Sequence, residues 1–130
     1  MSALKHEKSA EAAEPKGPYS PVVRAGDFLY ISGQGPIDPA TQQFVFSDVR
    51  AETKLVLENL ERALAICGAS RKNIVKCGVF LATASDFAAM NEAYAAFFGE
   101  TRPARTTVQA TLVEEGMKVE IDCVAYLPQN

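Results

Sequence analysis

Apolar positions recur at two different periods along this chain, and the change between them marks out its elements. From Phe28 to Gly33 the run Phe-Leu-Tyr-Ile-Ser-Gly is rich in aromatic and β-branched residues and reads as a strand. The turn signal Gly26-Asp27 separates it from the short apolar pair Val22-Val23. Gly33-Gln34-Gly35-Pro36-Ile37-Asp38-Pro39 breaks the strand. Val49, Val56, Leu57, Leu60, Leu64 and Cys67 then fall at helical spacing, with Ser47 or Asp48 available as a cap and Gly68 as the stop. Residues 74–82 read as a largely buried strand. A second helix starts near Ser85-Asp86, carries Phe87, Met90, Tyr94, Phe97 and Phe98, and stops at Gly99. Its aromatics lie at core spacing.

Two alternating segments remain. Thr106, Val108, Ala110 and Leu112 share one face of residues 106–113, with Thr107, Gln109 and Thr111 on the other. Residues 118–126 place Val119, Ile121, Cys123 and Ala125 on the apolar side and Lys118, Glu120 and Asp122 on the polar side. With Glu114-Glu115-Gly116-Met117 as the turn, the two segments predict a hairpin. The predicted order is strand, strand, helix, strand, helix, strand, strand: an α+β domain over residues 17–130, its mixed sheet covered on one face by both helices. The opposite face, with Thr107, Gln109, Thr111, Glu120 and Asp122, is either wet or meets partner chains. Residues 1–16 read as a loose polar leader.

Composition narrows the function classes. The 130 residues suit one core, and 48% hydrophobic with 22% charged is the balance of a globular protein. A net charge of −3 argues against a nucleic-acid partner, and no apolar run reaches the length of a membrane span. Cys67, Cys77 and Cys123 are odd in number, lack metal-motif spacing and sit among apolar neighbours, so core thiols in a reducing, cytoplasmic setting are expected. His6, the only histidine, lies in the leader, which disfavours a histidine relay. No phosphate-cradling loop or metal-ligand spacing is present, so hydrolytic chemistry here is expected to need no cofactor and no metal.

Three residues stand out by chemistry. Arg105 opens a strand after Pro103-Ala104; its guanidinium suits a carboxylate, although a surface salt bridge is the commoner use. Glu120 is either a solvated acid or a group that holds a water. The Tyr19 hydroxyl either closes a pocket or caps aromatic packing under its turn.

Gly17-Pro18-Tyr19-Ser20, Tyr30-Ile31-Ser32-Gly33-Gln34, Asn91-Glu92-Ala93-Tyr94, Pro103-Ala104-Arg105 and Val119-Glu120-Ile121 occur in the order and approximate spacing of the Rid (reactive intermediate deaminase, formerly YjgF) family. The resemblance runs from about Lys16 to Tyr126. It implies a chorismate-mutase-like α+β fold assembled as a homotrimer with clefts between subunits. It also implies hydrolysis of reactive 2-imino acids and their enamines, such as 2-iminopropanoate and 2-iminobutanoate, to 2-keto acids and ammonia. Carried over by position, Arg105 resembles the carboxylate-binding arginine and Glu120 the water-orienting glutamate. Tyr19, Ser32 and Gly33 resemble the pocket wall, with backbone groups near Gly33 and Thr107 facing the substrate nitrogen. Asn91 matches a recurrent asparagine with a supporting role. Thr107 replaces a common cysteine, and Gly35 a bulkier apolar residue, which is expected to enlarge or loosen the pocket. Two other readings stay open: a non-catalytic binder of small carboxylates or keto acids, and a ribonuclease that inhibits translation.

The predicted hairpin sets Glu120 opposite about Thr111, roughly 20 Å along the strand from Arg105 at ~3.4 Å per residue. Either that strand is bent or bulged, or the two groups meet across a subunit boundary, which is the favoured reading.

Overall fold

A computed structural model describes residues 4–9 and 11–129. Among these residues eight strands and two α-helices form: β1 (Leu4–Glu7), β2 (Val22–Ala25), β3 (Phe28–Gln34), β4 (Ile37–Asp38), β5 (Gln43–Phe44), α1 (Val49–Ala65), β6 (Ile74–Leu81), α2 (Phe87–Phe98), β7 (Ala104–Gln109) and β8 (Val119–Tyr126). Six strands make one mixed sheet in the order β1-β2-β3-β8-β6-β7, while β4 and β5 pair separately. Both helices cover one face. Leu57, Leu60 and Leu64 of α1 and Met90 of α2 are buried against Leu29, Val79, Val119 and Ile121 of the sheet. The α+β expectation of a sheet with two helices on one face therefore holds.

Local signals act as their chemistry dictates. Asp48 caps α1, its side chain accepting from the Ala51 amide at 2.9 Å. Gly68 and Gly99, each with positive φ, follow the two helix ends.

The predicted hairpin does not form. β7 pairs in parallel with β6, and β8 lies between β6 and β3, antiparallel to both. The reason is the crossover: β6, α2 and β7 form a strand–helix–strand unit, which returns the chain parallel to its first strand. The span from Ala110 to Lys118, too long for a tight turn, carries the chain across to the central position. A second correction concerns residues 1–16. Leu4–Glu7 pairs antiparallel with β2, and Ala12 and Ala13 are buried, so this segment is not a loose leader over its described residues.

Two buried polar residues of α1, seven positions apart, fix the loops beside β8. Glu52, fully buried, accepts from the amides of Ser47 at 3.0 Å and Lys118 at 2.9 Å. Asn59 donates to the carbonyls of Gly35 at 3.0 Å and Ile37 at 2.8 Å. With these partners their burial carries no orphaned charge or amide.

Candidate functional site

Two clefts hold the residues marked by sequence, and they lie on opposite faces of the sheet. Glu120 occupies the outer face: its neighbours Val119 and Ile121 point into the core. A β-bulge interrupts the β3–β8 ladder between Ile31 and Gln34, at Ser32 and Gly33. The Glu120 side chain lies directly over Gly33, where a Cβ would stand 2.9 Å from Glu120 Cδ and overlap Oε2. Asp122, two residues on, lies over Gly78 in the same way and accepts from its amide at 3.1 Å. Burial, reinforced by the Asp122 charge, raises the Glu120 carboxyl above its ordinary value.

The cleft above Glu120 has a volume of about 410 Å³ and includes Tyr19, Ser32, Gly33, Phe44 and Met117. The Ser32 hydroxyl donates to the Ser20 carbonyl at 2.6 Å, and the Tyr19 hydroxyl accepts from the Lys16 amide at 3.2 Å. Both side chains thereby tie the Gly17–Pro21 turn to the cleft. Gly35 does not enlarge the pocket: the space a Cβ would take there is filled by Met117 Sδ at 2.8 Å and Phe44 Cε1 at 3.2 Å.

Arg105 lies on the other face, in register with the buried Cys77 of β6. Its guanidinium stacks over the Tyr94 ring at 4.7 Å and the Phe87 ring at 5.6 Å, with Nη1 3.9 Å from Met90 Sδ. No carboxylate pairs with it among the described residues, so the salt-bridge role is not the one it plays here. Its cleft, about 380 Å³, includes Asn91, Tyr94 and Arg102. Asn91 Oδ1 and Thr107 Oγ1 are buried without hydrogen-bond partners among the described residues, whereas the Tyr94 hydroxyl has the Cys77 thiol beside it. Unmet polar atoms of this kind cost about 1–3 kcal/mol each. They are concentrated on the two elements that carry the Arg105 cleft.

Within one chain Arg105 and Glu120 are separated. Arg105 registers with Cys77, and Glu120 with Phe80, three residues further along β6 and on its other side. At ~3.3 Å per residue and ~4.8 Å per strand, their backbones are about 14 Å apart, with side chains on opposite faces. The 20 Å separation expected along a hairpin is thus corrected, and so is its cause. Thr107, in register with the buried Val79, also lies on the helix-covered face rather than the outer one. Gln109, in register with the buried Leu81, shares that face, and Thr111 falls beyond β7.

Sequence reasoning overlooked Asp122 as the charge beside Glu120 and assigned Tyr94 and Phe87 to the core alone. Tyr94 does both jobs, buried at 6% exposure and supporting Arg105, whereas Phe87 is 46% exposed. The spacing of Phe87, Met90, Asn91 and Tyr94 along a single stripe of α2 was the available signal.

Comparison with known proteins follows the same lines. Residues 9–127 match a protein-family model described as endoribonuclease L-PSP. The chain is 44% identical over 115 residues to a RutC family protein of Pyrococcus horikoshii, covering 88% of this chain and 91% of that protein. It is 37% identical over 111 residues to the chloroplastic Reactive Intermediate Deaminase A of Arabidopsis thaliana, covering 85% of this chain and 59% of the other. The crystal structure of E. coli TdcF with bound serine superposes with a TM-score of 0.87 at 34% identity, covering 94% of this chain and 98% of that one.

Proposed function

Because the chain belongs to the reactive intermediate deaminase (Rid) family, whose model spans residues 9–127, we propose that it hydrolyses 2-imino acids to 2-keto acids and ammonia. The observation that carries this reading is a pair of uncommitted charges: a guanidinium held on aromatic rings without an acid partner, and a carboxylate raised above its ordinary range. Arg105 takes the substrate carboxylate as a bidentate partner and fixes the adjacent C=N bond. A water held by Glu120 adds to the imine carbon as Glu120 accepts a proton. The carbinolamine formed then loses ammonia, leaving the ketone. An imine is electrophilic enough for orientation and one proton acceptor to suffice, without a covalent intermediate.

One chain does not bring the two charges together, so the working site forms between copies, with Arg105 of one against Glu120 of the next. The outer face supports such packing: Phe28, Tyr30, Val108 and Tyr126 on it are each more than 40% exposed. We assign the assembly as a homotrimer and the setting as cytoplasmic, in keeping with three free thiols. The endoribonuclease description of the family model is less compatible with this cleft. Glu14, Glu114 and Glu120 line it against one base, Lys16, and an excess of acids repels a phosphate backbone.

The test couples an amino acid oxidase, which releases the imine, to keto-acid or ammonia formation with semicarbazide competing. The protein should accelerate product formation, and Arg105→Ala should abolish that effect while leaving the assembly intact. Near-normal deamination by Arg105→Ala sinks the assignment.

A further inference from the structure

Gln42 is the only residue besides glycine with positive φ among the described residues, at 61°. For a side chain with no special preference for this region the conformation is strained. The side chain is engaged on both ends. Its Oε1 accepts from the Glu14 amide at 2.8 Å, and its Nε2 donates to the carbonyls of Pro39 at 2.9 Å and Ala12 at 3.4 Å. Its own carbonyl accepts from Lys16 Nζ at 2.6 Å. Gln42 therefore clamps residues 12–16, which sequence reasoning left as a leader, at three points. Those residues are a wall of the Glu120 cleft: Ala13, Pro15 and Lys16 line it together with Phe44 and Met117, and Lys16 Nζ lies over the Phe44 ring at 5.9 Å.

The size of the cleft shows what that wall is for. Its volume of about 410 Å³ falls within the range that encloses sizeable organic ligands. 2-Iminopropanoate has six heavy atoms, and counting each at the ~30 Å³ that a water molecule takes in the liquid, it occupies about 180 Å³, a little under half of this space. Beyond Glu120 the lining combines an apolar surface from Ala13, Pro15, Ile37, Phe44 and Met117, which suits hydrocarbon, with the charged Glu14, Lys16 and Glu114. The Met117 thioether, lying where a side chain at position 35 would be, gives that lining an adaptable surface.

We propose that the Glu120 cleft takes 2-imino acids bearing a long apolar side chain, and that Gln42 is the positioning residue holding residues 12–16 as the wall against which that side chain packs. This rests on the reading of the cleft as a 2-imino acid site. Binding of the stable keto acids tests it apart from turnover.

The probes are pyruvate and 4-methyl-2-oxopentanoate, titrated calorimetrically into the full-length protein, Gln42→Ala and Gln42→Gly. Gln42→Gly relieves the backbone while removing the clamp, so it remains informative if Gln42→Ala is destabilised. The wild type should bind the branched acid at least about tenfold more tightly than pyruvate. Both variants should lose that preference to within about twofold, with pyruvate affinity changed less than twofold, and the Glu14 amide should exchange about tenfold faster. A wild type that does not prefer the longer acid overturns the substrate class. A preference that survives in both variants, or a Glu14 amide that stays protected in them, overturns the role of Gln42. Absence of imine hydrolysis alongside an intact preference sinks the proposed activity instead.

Discussion

Gly33→Ala separates the work of Glu120 from the stability of the fold. The new Cβ stands 2.9 Å from Glu120 Cδ and 3.2 Å from Cγ, closer than ordinary van der Waals contact, so the carboxylate must swing away. Gly33 does not have a left-handed backbone, so alanine itself is accommodated. Forcing Glu120 from its rotamer costs about 0.5–1.5 kcal/mol. The lost freedom of the unfolded chain returns about 0.4–1 kcal/mol. The two nearly cancel, and the melting temperature should move by less than about 5 °C for a chain of this length. Turnover should respond very differently. Displacing a general base forfeits about 10²–10⁴ in rate, so kcat in the imine assay should fall about 100-fold or more. The double variant is decisive. With Glu120→Ala the overlapping atoms are gone, and adding Gly33→Ala should change kcat less than about twofold, the signature of two residues acting as one unit. The reasoning fails if Gly33→Ala keeps more than about a third of kcat, or if it still costs about tenfold in the Glu120→Ala background.

Two further outcomes are expected. Mixing unfolded Arg105→Ala and Glu120→Ala subunits and refolding them together should restore activity at about one site in four, because random assembly pairs an intact Arg105 with an intact Glu120 at that frequency; no recovery in a verified mixed oligomer refutes a shared site. Asp122→Asn removes the like charge beside Glu120 yet keeps an acceptor for the Gly78 amide, so the acidic limb of the kcat–pH profile should move to lower pH. The sign for stability follows from the same shift. Glu120 binds its proton more tightly folded than unfolded, so stability falls as pH rises from the ordinary carboxylate value, about 4.3, through the raised folded value, and Asp122→Asn should flatten that fall in urea titrations.

The elements were legible because each carried its own period and its own stop: α1 between Asp48 and Gly68, α2 before Gly99, and the alternation of Val119 through Ala125. Strand order was not, since alternation tells which face a residue takes but not which strand lies beside it. Residues 106–113 and 118–126 looked like a hairpin for that reason alone. The strand–helix–strand sequence before them held the contrary signal, since a helical crossover between strands favours parallel neighbours. The same limit hid the environment of Glu120. Asp122 is near it by simple alternation, but Gly33 and Gly78 come beneath the two acids only through pairing of β8 with β3 and β6. The clamp at Gln42 was invisible because a glutamine between Thr41 and Gln43 carries no pattern. Its role depends on a main-chain turn and on a segment 26 to 30 positions earlier.

Placing Arg105 and Glu120 on opposite faces of one sheet has a chemical consequence. Side by side in one chain they would pair directly, leaving no room for a substrate between the guanidinium and the carboxylate. The sheet keeps them apart at no cost in buried charge, because Arg105 rests on Tyr94 and Phe87 and Glu120 stays partly open to its cleft. In an assembly that sets one copy's arginine against the next copy's glutamate, the incoming substrate supplies the negative charge between them. Its carboxylate satisfies Arg105 and adds a second like charge near Glu120, alongside Asp122. The base is therefore strongest when substrate is bound, so the pH at which turnover is half-maximal should lie above the pH at which the free protein protonates Glu120. Comparing the kcat–pH limb with a carboxyl titration of the unliganded protein measures that difference, and coincident values would show that Arg105 of the neighbour cancels the substrate charge completely.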